Sequence, residues 1–181
     1  RLSRTYDMKD ALHEFVQQSA SDNHGELPAN MRDDPVVWCL WSFALLNQEK
    51  LTAEIAIEAE IKSSRALELD PEFAPAYVGK AYAFVIQAML LKGAPDNQAS
   101  REELLVAAEE QNRLALKFDD RSYVTIVRGM AKMVEEDFAA AEKLFAEALN
   151  WYPNSESTAI GLATCIVSQP DYAGSRSEAT A

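Results

Sequence analysis

The sequence predicts an all-α fold built from stacked antiparallel helix pairs, and two observations support this prediction. Helix formers are abundant while helix breakers are few, with seven prolines and six glycines among 181 residues. One helix-ending pattern also recurs, because AEKLFAEALNWYP has counterparts in AEIKSSRALELDP and AEEQNRLALKFDD. In each copy two alanines seven residues apart share a helix face, and a proline or aspartate follows five residues later. Repetition of such a pattern indicates a repeat array.

Apolar periodicity and capping signals predict the individual helices. The expected helices are one within residues 1–20, followed by residues 35–49, 52–69, 74–92, 101–118, 123–135, 138–151 and 155–168. Asp34 before Pro35 is a typical helix start, and Thr52 is a typical N-cap. Ser100 with Glu103 has the spacing of a capping box, so we expect the fourth helix of the main region to begin there.

Small residues near the helix midpoints indicate where paired helices cross closely, since a small side chain lets two helix axes approach. The first helices of three pairs have Ala81, Gly129 and Ala163 at this position, and the second helices have Ala59, Ala108 and Ala141. We expect larger side chains such as Phe145 to fill the space beside each crossing.

The most regular repeat lies at residues 122–155. It places small, aromatic and proline residues at fixed positions: Gly129, Phe138, Ala141, Phe145, Ala148 and Pro153. This pattern resembles the tetratricopeptide repeat, a helical hairpin of about 34 residues. The resemblance implies a right-handed superhelical array of antiparallel hairpins, an α-solenoid. Its hairpins would lie at about 34–71, 74–121 and 122–155, with a partial one at 156–181, within a repeat domain at 33–181.

A finer resemblance concerns the motif ALELDPEFAPAY, followed by a long helix, a loop insertion and ALKFDD. This order is similar to the tetratricopeptide region of bacterial signalling proteins such as class III adenylate cyclases and winged-helix transcription regulators. The resemblance implies a regulatory parent protein and a cytoplasmic location, or a periplasmic one if the parent has an upstream transmembrane helix. Because the chain begins with Arg1, we interpret it as a piece of a longer protein. The catalytic and DNA-binding residues of those output domains do not occur here, so no activity is implied.

Charge and residue usage argue against several classes of function. The net charge is −12, and an acidic surface repels nucleic acids and anionic membranes. The sequence has no run of about 18 apolar residues, so we expect no membrane insertion by this segment. Its two histidines, His13 and His24, lie outside any metal-binding motif, and Cys39 and Cys165 lie within apolar helical stretches. We therefore expect no catalytic residue, no metal and no cofactor.

The concave side of the predicted array is the first candidate for a binding site, because first helices line the groove of stacked repeats. The groove residues are Trp41, Gln48, Val78, Tyr82, Ile86, Tyr123, Ile126, Met130 and Met133. This set is largely apolar and lacks a Lys, Arg and Asn cluster, so we expect a helical or apolar peptide rather than a carboxylate. The alternative is that part of the set belongs to the core between helices.

Two further surfaces are candidates for association. The N-terminal amphipathic helix, within residues 1–32, presents Leu12, Phe15 and Val16. This helix is predicted to dock against the array of its own chain or to form a homodimer with a partner chain. The incomplete last pair leaves Ile160, Leu162, Ile166 and Val167 without full cover. The favoured function is a non-catalytic module for protein–protein interaction or self-association, and the alternative is a sensory or effector-binding region of a bacterial cyclase or transcription regulator.

Overall fold

The computed structural model describes residues 31–92, 97–118 and 121–169. In these ranges the chain is all-α, with seven helices and no strand. The helices are α1 (Pro35–Leu46), α2 (Ala53–Leu69), α3 (Ala74–Leu90), α4 (Gln98–Lys117), α5 (Arg121–Val134), α6 (Phe138–Trp151) and α7 (Glu156–Ser168). The predicted N-terminal helix, with Leu12, Phe15 and Val16, lies outside the described residues.

Side-chain caps begin four of these helices as short polar residues do in general. The Asp34 carboxylate accepts a hydrogen bond from the backbone N–H of Val36 at 2.9 Å, and Thr52 Oγ1 caps α2. Asp137 and Ser155 cap α6 and α7 through their side-chain oxygens. The prediction that Thr52 caps a helix is therefore confirmed, and of Asn154 and Ser155, either of which the sequence offers as the cap of the last helix, Ser155 is the cap.

Two predicted helix boundaries are wrong by three residues, and the others differ by two residues at most. The helix α4 begins at Gln98, so Ser100 lies inside it and does not form the predicted capping box with Glu103. The Gln98 amide donates to the Glu102 carboxylate at 2.7 Å and stabilises the additional turn. The helix α1 ends at Leu46 because the side chain of Asn47 donates to the carbonyl oxygen of Phe43 at 2.7 Å.

The helices pack as sequential antiparallel pairs, α1 with α2, α3 with α4 and α5 with α6. Each second helix also contacts the first helix of the next pair, so α2 contacts α3, α4 contacts α5 and α6 contacts α7. The first helices meet in the same order, since α1 contacts α3, α3 contacts α5, and α5 contacts α7. Every pair in the described ranges therefore shares its surface mainly with its neighbours in sequence.

Buried small residues mark the crossings of the paired helices. Ala59, Ala81, Ala108 and Ala141 have no exposed surface, and Gly129 is buried as well, as predicted. Ala163, however, is exposed, so its prediction is wrong. Two residues correspond to a rotation of about 200° around a helix. The helix α7 therefore turns Gly161 towards α6 and Ala163 away from it.

Phe145 of α6 lies between two glycines. Its ring is 2% exposed, and Cβ atoms added at Gly129 and Gly161 would lie 3.0 Å and 2.9 Å from the nearest ring carbons. The ring thus fills the space beside the backbones of both α5 and α7. This contact joins the third pair to the last described helix.

A buried pair of hydroxyls joins α1 to α2 under the backbone of α3. Ser63 Oγ donates to Ser42 Oγ at 2.8 Å, and Ser42 Oγ donates to the carbonyl oxygen of Ala59 at 2.7 Å. A Cβ at Gly79 would lie 2.6 Å from Ser63 Oγ, so glycine permits the close approach of α3. These polar groups are satisfied within the core, as buried hydroxyls generally are.

Candidate interaction surfaces

Three of the predicted groove residues lie in the hydrophobic core. Trp41, Val78 and Ile86 are each buried, Trp41 and Ile86 in the cluster that joins α1, α2 and α3. Val78 belongs to the neighbouring cluster that joins α3, α4 and α5. These three side chains therefore stabilise the packing of the pairs directly.

Five of the other groove residues are half-buried. Gln48 follows the end of α1, and Tyr82 packs against both of the clusters just described. Burial raises the pKa of the Tyr82 phenol, because the charged form would lose solvation. Met130 packs against these two clusters and also against the Phe145 cluster, which Ile126 and Met133 contact too. All of these side chains except that of Gln48 pack between helices, and all five leave part of their surface accessible.

Tyr123, the remaining groove residue, is 47% exposed and belongs to a row of aromatic rings. Its ring centroid lies 6.2 Å from that of Phe43 and 5.5 Å from that of Tyr152, and both ring pairs are tilted. We call Phe43, Tyr123 and Tyr152 the aromatic row. Phe43 reaches across α3 at Gly79, where an added Cβ would lie 3.7 Å from its Cε2. The row therefore connects α1, α5 and the end of α6.

Spacing along the sequence placed Tyr123 on the binding side but did not reveal its two neighbours. Phe43 lies in α1 and Tyr152 directly follows α6, so no helical periodicity relates them to Tyr123. The one signal available in the sequence was the adjacent pair of aromatic residues, Trp151 and Tyr152, at the end of a predicted helix. In the structure both residues are exposed.

The outer side of α7 forms a second surface, with Ala159, Ile160, Ala163, Ile166 and Val167 all exposed. We call these five residues the α7 face. The predicted lack of cover at Ile160, Ile166 and Val167 thus agrees with their exposure. Leu162 differs, because it packs against the cluster of Ala141, Phe145 and Cys165.

Some of the acidic side chains on the surface are paired with basic ones. Arg128 binds Glu109 through two nitrogens, and Arg113 binds Glu110 in the same way. The hydrogen bond from Arg113 lowers the pKa of Glu110. Lys92 lies 3.0 Å from Glu136 and its hydrogen bond lowers the pKa of that carboxyl in the same manner. Such exposed ion pairs contribute little to stability, because water and salt screen them.

A cleft of about 530 Å³ lies between α4 and the C-terminal end of α5. Leu105 and Val106 provide its apolar part, and Arg101 donates to the carbonyl oxygen of Val134 at its edge. Its carboxylates include Glu109, which Arg128 binds, and Glu135, which lies 2.6 Å from Lys132. The paired charges leave the cleft without a concentrated field for a ligand.

Residues typical of catalytic or metal sites are not assembled in the described ranges. No group of three or more His, Cys, Asp or Glu side chains able to hold a metal ion occurs among the described residues. Cys39 and Cys165 are both buried free thiols. Burial raises the pKa of Cys165, and the charge of Glu142 acts in the same direction, so the reactive thiolate is disfavoured.

Comparison of the chain with protein-family models, with curated proteins and with solved structures gives no match. Among the described helices, none combines the length and the apolar character that crossing a membrane requires.

Proposed function

We propose that the chain is a tetratricopeptide-like module of a larger regulatory protein, without catalytic activity, that binds protein partners or associates with itself. The order of helix contacts supports a superhelical array, because each pair contacts the next through both of its helices. The buried alanines at equivalent positions in successive pairs support the same view.

The observation that carries the interaction role is the aromatic row. Aromatic side chains are enriched at protein interfaces, where they provide large contact areas at a small cost in conformational entropy. Here three rings from the first and third helix pairs lie with neighbouring centroids 5.5–6.2 Å apart, and Tyr123 keeps nearly half of its surface in contact with water. A surface that extends over several helices suits a peptide segment better than a compact small molecule.

Selection of displayed peptides against the 181-residue chain tests this proposal. The library should include helical and extended apolar segments, and binding of the selected peptides should be measured by calorimetry. Tyr123→Ala is expected to weaken binding by about tenfold or more, because a central aromatic side chain usually dominates the energy of an interface. Ile57→Ala is the matched control, since Ile57 of α2 is also 47% exposed.

The outcomes separate the two functions considered for this chain. Peptides that depend on Tyr123 and not on Ile57 support the interaction role. Peptides that lose affinity equally in both variants would contradict it. Stabilisation of the chain by small effectors, together with failure to select any peptide, would instead favour the sensory role.

A further inference from the structure

The exposed residues of α7 form a pattern that is symmetrical about Ala163. Ile160 lies three residues before it and Ile166 three residues after it, while Ala159 and Val167 lie four residues away on either side. Residues three and four apart share a helix face, so these side chains form one stripe. An antiparallel copy of the helix would place Ile160 opposite Ile166 and Ala159 opposite Val167. The stripe is thus complementary to itself.

Charge distinguishes this stripe from the other exposed apolar residues. Between Ala159 and Val167 the chain has no Asp, Glu, Lys, Arg or His, whereas the whole chain has a net charge of −12. Ile57 and Ile61 of α2 are as exposed but stand among Glu54, Glu58 and Arg65. Two copies of an acidic protein repel each other at most surfaces. The five residues of the α7 face are uncharged, so this repulsion is weaker there than at the acidic surfaces.

The segment that directly follows α7 has one large apolar side chain, that of Tyr172. Residues 170–181 contain no Leu, Ile, Val, Met or Phe. In the preceding pair the second helix, α6, covers the first helix, α5, with large apolar side chains that include Phe145. The N-terminal segment is joined to the opposite end of the stack, because Met31 packs against the α1 cluster. One large apolar side chain within residues 170–181 is little cover for the five residues of the α7 face.

We propose that the α7 face pairs with the α7 face of a second copy, so that the chain forms a twofold symmetric dimer. The two helices run antiparallel and cross at Ala163, where a small side chain permits close approach. Ile160, Ile166 and Val167 of each copy bury their exposed surface on the other. This pairing is one form of the interaction role proposed above and rests on it.

Sedimentation equilibrium of the 181-residue chain tests the dimer. The expected mass is twice 20.1 kDa. Ile160→Glu places one charge on each side of the contact and is expected to weaken dimerisation by about 100-fold or more. Ile61→Glu is the matched control, because Ile61 and Ile160 are both 59% exposed. Since both residues face water, the circular dichroism spectrum should stay unchanged in both variants.

Three results would overturn the pairing. The first is a monomer at every concentration, and the second is an equal loss of dimer in Ile160→Glu and Ile61→Glu. The third is a chain starting at Asp33 that is monomeric while Ile160→Glu remains dimeric, which would assign the contact to the N-terminal helix. A monomer that still binds peptides through Tyr123 would overturn this pairing alone and leave the proposed function standing.

Discussion

The contact of Phe145 with Gly129 and Gly161 predicts that Gly161→Ala changes stability differently in chains with and without the Phe145 ring. Phe145→Ala removes a ring that is 2% exposed and that touches glycines on two neighbouring helices. Glycines have no side chains that could move into the resulting cavity. We therefore expect a loss in the free energy of unfolding near the upper end of the about 3–5 kcal/mol that such truncations cost.

Gly161→Ala should act in opposite directions in the two backgrounds. In the unsubstituted chain its Cβ would lie 2.9 Å from the ring of Phe145, so overpacking of about 1–3 kcal/mol outweighs or cancels the gain in helix propensity of about 1 kcal/mol. In the Phe145→Ala background the clash is absent and the methyl group fills part of the cavity. There the substitution should stabilise the chain by about 1 kcal/mol.

Urea unfolding followed by circular dichroism measures this double-mutant cycle, with a coupling energy of about 1–3 kcal/mol expected. Ala146→Gly, at an exposed position within α6, measures the propensity term separately. If Gly161→Ala had the same effect in both backgrounds, the packing of α7 against Phe145 would be refuted.

Three further predictions concern the first two pairs. Lys62→Met should lower the free energy of unfolding by about 0.5–2 kcal/mol in urea unfolding, because Nζ lies 3.9 Å from the ring centroid of Trp41; an unchanged midpoint would contradict the contact. Gly79→Ala should cost about 1–3 kcal/mol by the same assay, and Ser63→Ala in the same chain should relieve it; a cost that persists would show another obstacle. Folding raises the pKa of the Tyr82 phenol, so the unfolded chain loses this proton at a lower pH than the folded chain. The contribution of Tyr82 to the free energy of unfolding is therefore fully present below pH about 10 and is lost as the pH rises towards the folded pKa. Tyr82→Phe should reduce this decline in unfolding midpoints measured across that range, and an identical decline would contradict the assignment.

The sequence was sufficient to predict the helices themselves. The prediction for α6 has the same first and last residues as the observed helix, because a strong apolar period is closed by Pro153. Thr52 and Ser155 mark the starts of α2 and α7 for a local reason, since each side chain caps its own helix. Such signals act within one turn and can be recognised without the rest of the fold.

What the sequence could not predict depends on contacts between distant residues. The prediction put Ala163 at the crossing with α6, whereas the structure has Gly161 there because α7 is rotated about its axis. This rotation depends on Phe145 of α6, whose ring packs against Gly161. Tyr123 was predicted as a binding residue, but its neighbours were not, because Phe43 reaches it through the stacking of pairs and Tyr152 through the packing of α5 against α6. The prediction that Leu12, Phe15 and Val16 form a docking helix lies outside the described residues and stays a prediction.

Association through the α7 face is tested most directly by oxidative cross-linking of Ala163→Cys. Two helices that cross at a small residue have axes about 8–10 Å apart, and each Cα lies about 2.3 Å from its axis. The two Cα atoms at position 163 would then be about 3.4–5.4 Å apart, and a disulfide bond can span the upper part of this range. Both native cysteines are buried, so the unsubstituted chain provides the background. A disulfide-linked dimer that forms readily with Ala163→Cys and not with the control Ile61→Cys is the predicted result. Equal or absent cross-linking in the two variants would contradict the antiparallel pairing.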